Sequence, residues 1–153
     1  MLKLIQLSIG LLMMGAISAH AAENIEIKDL MVSSLKSISA TNSKEERIKR
    51  AKEFRTIVAK KSLDPKSSDD WTNLSVTLNR VMLKKASTKE CNDALFGLLV
   101  DAEATEKSTK IESSSTWEQK EKIFRNMLGT TAKAGDISQD TFMAFQVLKA
   151  ICE

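Results

Sequence analysis

The run Ser87-Thr88-Lys89-Glu90-Cys91-Asn92-Asp93-Ala94-Leu95-Phe96-Gly97-Leu98-Leu99-Val100-Asp101-Ala102 decides the fold class of this chain. Cys91, Ala94, Leu95, Leu98, Leu99 and Ala102 recur at spacings of three and four, which places them on one face of an α-helix. Ser87 followed three residues later by Glu90 forms a capping box. The hydroxyl accepts from a free amide of the first turn, and the carboxylate returns to the amide of the capping residue.

The same pattern repeats on both sides. From Ile25 to about Ala40, the residues Ile27, Leu30, Met31, Leu35 and Ile38 keep helical spacing. After the polar break at Thr41-Asn42-Ser43, Ser43 and Glu46 open a helix to about Lys61 with Ile48, Ala51, Phe54, Ile57 and Val58 inward. Pro65 disfavours helix in Asp64 and so marks a turn. A helix from Ser68 or Asp69 then carries Trp71, Leu74, Leu78, Val81 and Met82. Ser115 with Glu118 starts another, with Trp117, Ile123, Phe124, Met127 and Leu128 inward. Gly135-Asp136 ends it, and a last helix capped by Ser138 or Asp136 carries Phe142, Phe145, Leu148, Ile151 and Cys152. The stretch from Thr105 to Ser115, rich in Ser, Thr, Lys and Glu, reads as a long polar loop, with Lys107 to Ser115 a candidate recognition loop. One proline and five glycines in 153 residues leave little material for strands and tight turns. The expected fold is all-α: a compact antiparallel bundle of five or six helices.

Residues 1–21 read as a signal peptide. Lys3 supplies the positive start, residues 4–17 an apolar stretch too short for a bilayer, and Ala19 and Ala21 the small side chains before a cut. Cleavage there leaves a single helical domain, residues 22–153, in a periplasmic or secreted setting. No cysteine lies in the leader to carry a lipid anchor, and no later apolar run reaches the roughly 20 residues of a membrane span. In an oxidising compartment the two cysteines, Cys91 and Cys152, with no Cys-x-x-Cys motif, are expected to form a structural disulfide. Closing a loop of about 60 residues stabilises the fold by roughly 4 kcal/mol in the chain-entropy picture. It would pin the last helix across the one that begins at Ser87.

Composition excludes several chemistries. Processing removes the only histidine, His20, and there is no tyrosine. The whole chain is +3 and the processed chain +2, too weak a charge for nucleic-acid binding. The carboxylate pairs Asp69 with Asp70 and Glu118 with Glu121 fall at helix starts, where they serve the macrodipole. Asp64, Asp69 and Asp70 lack calcium-loop spacing. No cofactor and no metal site are expected, and the chain does not read as an enzyme. Ser67-Ser68-Asp69-Asp70-Trp71 and Ser113-Ser114-Ser115-Thr116-Trp117 resemble each other, as Ser-rich caps before an aromatic often do.

Charge is the one feature with positional structure. Residues 44–61 carry eight basic side chains against three acidic ones, and residues 88–106 one against five. Lys49, Lys52 and Arg55 lie beside or away from the apolar stripe, so they are the expected partner-binding residues. The expected function is non-catalytic binding of another protein, as an inhibitor or immunity protein against a toxin or hydrolase, or as an accessory of a secretion or pilus apparatus. The alternative is a carrier holding a lipid or other apolar ligand among Leu98, Leu99, Phe124, Met127, Phe142 and Phe145.

Overall fold

The computed structural model describes residues 2–101, 115–131 and 138–153, with side-chain surroundings at 19–99, 115–126 and 139–153. These residues form six helices: α1 (Leu2–Ser39), α2 (Lys44–Ser62), α3 (Asp69–Asn79), α4 (Thr88–Asp101), α5 (Trp117–Thr131) and α6 (Ser138–Cys152). They make the expected antiparallel all-α bundle. The helix expected from Ile25 begins at Leu2 instead. Leu, Met and Ala are frequent in residues 1–21 and are themselves strong helix formers, so the expected cut after Ala21 falls inside one continuous helix. No described helix is long and apolar enough to cross a membrane. Most of the Thr105–Ser115 loop, and the side chains of Met127 and Leu128, lie outside the described residues.

Helix α6 is the hub, packing against α1, α2, α3 and α4. Its apolar spacing predicts one inward stripe, but burial runs almost all round. Thr141, Met143, Ala144, Phe145, Val147, Leu148, Ala150 and Ile151 are all buried, whereas Phe142 and Cys152 are half-buried. From Phe142 to Ile151 only Gln146 and Lys149 are polar, and such a segment sits where neighbours cover most of its sides. Phe124 of α5 stacks on Phe145 at 4.5 Å between centroids, and Trp117 tilts against the same ring at 6.2 Å. Cys91 and Cys152 are bonded, their Cα atoms 6.2 Å apart, and the bridge ties the first turn of α4 to the last turn of α6.

Local caps follow the sequence closely, with shifts that have physical causes. Ser87 and Glu90 exchange both bonds of the capping box, each at 3.2 Å. At α2 only half of the box forms: Ser43 Oγ accepts from the Glu46 amide at 3.3 Å, while the Glu46 carboxylate turns to Arg50. The box expected at Ser115 and Glu118 sits one residue later, where Thr116 and Gln119 exchange bonds of 2.9 and 3.3 Å. Ser68 makes no side-chain cap. Its amide donates instead to Glu23 of α1 at 3.2 Å. Helix α3 stops at Asn79, so Val81 is buried from the connecting segment, together with Leu83 and Ala86. Ala86 takes a left-handed φ of 50° to turn that segment into α4. Ile57, expected inward, faces solvent at the edge of the α1–α2 seam.

Candidate functional site

The basic run of α2 divides by residue type. Its arginines reach back into the fold. Arg47 donates through Nε to the Thr41 carbonyl at 2.6 Å and through Nη1 to the Ala150 carbonyl at 3.2 Å. Arg50 donates to the Ser37 carbonyl and, at 3.2 Å, to Glu46. Arg47 thus reaches carbonyls just beyond α1 and in the last turn of α6, where helix geometry leaves acceptors free, and Arg50 adds to a Ser37 carbonyl that also accepts from the Ala40 amide at 3.4 Å. Arg55 donates to Asn79 Oδ1 at the end of α3. Lysines behave differently: Lys49 and Lys52 stand in solvent, with a loose Lys49–Glu46 pair at 3.8 Å. Of the three expected partner-binding residues, the structure leaves two on an open face and gives Arg55 an internal role.

Surface relief is concentrated around α1, which lies between α2 and α6. Ile25 and Val32, seven residues apart and hence on one face, are 61% and 52% exposed. On one side, a groove of about 620 Å³ runs along α2, lined by Ala22, Ile25, Glu26, Asp29, Leu30 and Ile57 among others. An ion pair from Lys61 to Glu26 closes across it. Lys61 is held above the usual lysine value by that hydrogen bond and by the charge of Glu26. On the other side, a groove of about 300 Å³ runs along α6, with Met31 and Met143 in its floor and Val32, Leu35 and Phe142 on its walls. The Arg125 guanidinium lies 4.3 Å from the centre of the Phe142 ring. Spacing alone marked neither groove, because Val32 breaks no helical pattern and was not part of the inward stripe.

A third depression, of about 400 Å³, is polar and lined by His20, Asn24, Asp70, Asn73, Gln139 and Asp140 among others. His20 lies 3.8 Å from Asp70, and a cut after Ala21 would remove it. Burial, with a smaller contribution from the Asp70 charge, raises the Asp140 carboxyl to about 6.

Of the carboxylates considered as pairs, Glu121 is taken up in a network between helices. Glu121 accepts from Lys149 at 2.7 Å, from Arg125 at 2.8 Å and from Gln146 at 3.2 Å, which ties α5 to α6. The Lys149 bond is the main reason its carboxyl lies below the usual range. Asp69 and Asp70 occupy the first turn of α3. Among the described residues, no three His, Cys, Asp or Glu side chains gather as a metal site.

One group passed over in the sequence reading is Lys120, buried between α4 and α5. Its ammonium donates to Asn92 Oδ1 at 3.1 Å and sits 4.7 Å from the Trp117 ring centre. Burial lowers its pKa. A lysine at helical spacing from Trp117 and Phe124 was the available signal.

Of the six residues expected to line an apolar cavity, Leu98, Leu99, Phe124 and Phe145 are buried, and the two rings stack in contact. Stacking at that distance leaves no room for a ligand between them. Comparison with known protein families, characterised proteins and solved structures finds no match to this chain.

Proposed function

We propose that this chain is an exported, non-catalytic domain that binds another protein through the outer face of α1, as an inhibitor or immunity protein or as an assembly accessory would. The carrying observation is the relief around α1: Ile25, Val32 and the 45%-exposed Ile57 stand beside two open grooves on a scaffold locked by the Cys91–Cys152 bridge. Exposed apolar side chains grouped around concave surface mark interaction sites, whereas isolated ones do not. Partly buried aromatics such as Phe142 supply the area on which hot spots depend. The leader and the disulfide support an oxidising compartment outside the cytoplasm. A carrier role has less support, since two of its six expected lining residues, Phe124 and Phe145, stack against each other.

The test is capture from an envelope extract with the oxidised protein, followed by identification and titration of the captured partner. The pair Ile25→Glu and Val32→Glu should weaken binding by about a hundredfold, as expected for loss of two central apolar contacts. Val76→Glu, equally exposed on α3, should leave it unchanged. Equal binding by both variants would remove α1 from the interface.

A further inference from the structure

We propose that the α1–α6 groove receives an acidic amphipathic helix of a partner protein, seated across Val32, Leu35 and Phe142 over the two methionines. The proposal rests on the protein-binding reading and names the chemistry of the partner. Shape is the first argument. Met31 and Met143 are buried in the floor, while Val32, Leu35 and Phe142 rise at the sides. A recessed apolar floor fits a convex ridge of side chains and is out of reach of a flat lipid surface. From Lys28 to Leu35 the groove follows α1 for about 10 Å at 1.5 Å per residue, which is two helical turns. Anchors at i, i+3 or i+4, and i+7 of a docked helix fall within that length. Methionines adapt their unbranched side chains to such a ridge.

Charge is the second argument, and it separates this groove from its neighbour. Lys28 lines it and, among the described residues, is in no ion pair; Lys36, one turn beyond Val32, stands on the ridge of α1 between the two grooves. Arg125 stands over Phe142 at the opposite wall, its charge shared with Glu121 at 2.8 Å. Among the described residues, no carboxylate lines this groove. Asp29 lines the α2 side, Asp140 the polar depression, and Glu121 is occupied by Lys149, Arg125 and Gln146. An apolar trough with a cationic rim selects an apolar ridge flanked by carboxylates.

The experiment uses the oxidised protein with isotope-labelled methionine methyls. The probe is a capped synthetic helix of about 14 residues, four turns, with Leu at i, i+3 and i+7 and Glu on both flanks. Its control carries Lys in place of Glu. The Met31 and Met143 signals should shift on titration while that of Met82, in the segment between α3 and α4, stays in place. The Lys peptide should bind at least about tenfold more weakly, and Val32→Glu should weaken the Glu peptide by about tenfold without lowering Tm. Lys28→Glu with Lys36→Glu should slow association in a salt-dependent way.

Several results would overturn the assignment: methyl signals that do not move, equal affinity for the two peptides, or unchanged affinity after Val32→Glu. Shifts that appear on concentrating the protein alone would make the occupant a second copy. Val32-dependent binding to phosphatidylglycerol vesicles in place of the peptide would make it a membrane. If the captured partner is released by Ile25→Glu but not by Val32→Glu, the groove assignment fails while the protein-binding reading stands.

Discussion

Helix α1 has a neighbour on each side, and the two are fastened by different chemistry. Helix α2 is held by guanidinium groups: Arg50 to the Ser37 carbonyl at the end of α1, and Arg47 to Thr41 and Ala150. Helix α6 is held by a covalent bridge to α4 and by the Glu121 network from α5. The difference sets the surface charge. On the α2 side the cations nearest α1 are consumed in fastening, with Lys61 paired to Glu26 and Arg50 turned to the main chain. On the α6 side the fastening is done from behind, so Lys28 in the groove wall stays unpaired among the described residues. A count of basic residues along the chain points to α2, whereas the available positive charge lies partly on α1.

The bridge offers the largest test of that contrast. Replacing Cys91 and Cys152 together by Ser should cost about 4 kcal/mol from the 61-residue separation, lowering Tm by roughly 15 °C. Amide exchange should quicken first in the last turn of α6 and in α4, with the α1–α2 seam following only on global unfolding. Equal acceleration in both seams would erase the distinction between their fastenings.

A smaller effect is expected at Glu121. Glu121→Gln removes the charge that joins α5 to α6 and should cost about 2 kcal/mol at neutral pH. Because the folded-state carboxyl lies below its usual 4.5, its stabilisation is present above that value and is lost as pH falls through the lower folded value. Urea titrations of both proteins should therefore converge in acid. A difference that persists at low pH would assign Glu121 a packing role in place of a charged one.

The smallest effects separate lysine from arginine on one helix. Lys49→Glu with Lys52→Glu should change stability by less than about 0.5 kcal/mol, because neither side chain fastens anything. Arg47→Met should cost about 1 kcal/mol or more by leaving two carbonyls unpaired. Chemical denaturation of the two variants gives the comparison directly; if their costs are equal, the division of the basic run by residue type is wrong.

Much of the fold was legible from local pattern. The helical spacing of Cys91, Leu95 and Leu98, and that of Ile48, Ala51 and Phe54, matches the buried faces of α4 and α2. The Ser87 capping box closes as written, and the paired cysteines form the bridge. Where reading failed, a neighbour had intervened. Ile57 keeps helical spacing yet faces outward at the rim of a groove, because α1 approaches from the wrong side to cover it. Ser68 looks like a self-sufficient cap, but its amide is taken by Glu23 from another helix. Arg55 and Lys49 are indistinguishable as basic residues near an apolar stripe, and only the end of α3 beside Arg55 separates them.

By itself, then, the order of residues determined the helices, most of their caps and the covalent link, since these depend on interactions three or four residues apart or on there being only two thiols to pair. Tertiary structure decided which charges are occupied and where α1 is left open. Those outcomes depend on which helix ends and carbonyls are brought against α2 and α6, and a carbonyl carries no mark in the sequence of whose guanidinium it will meet.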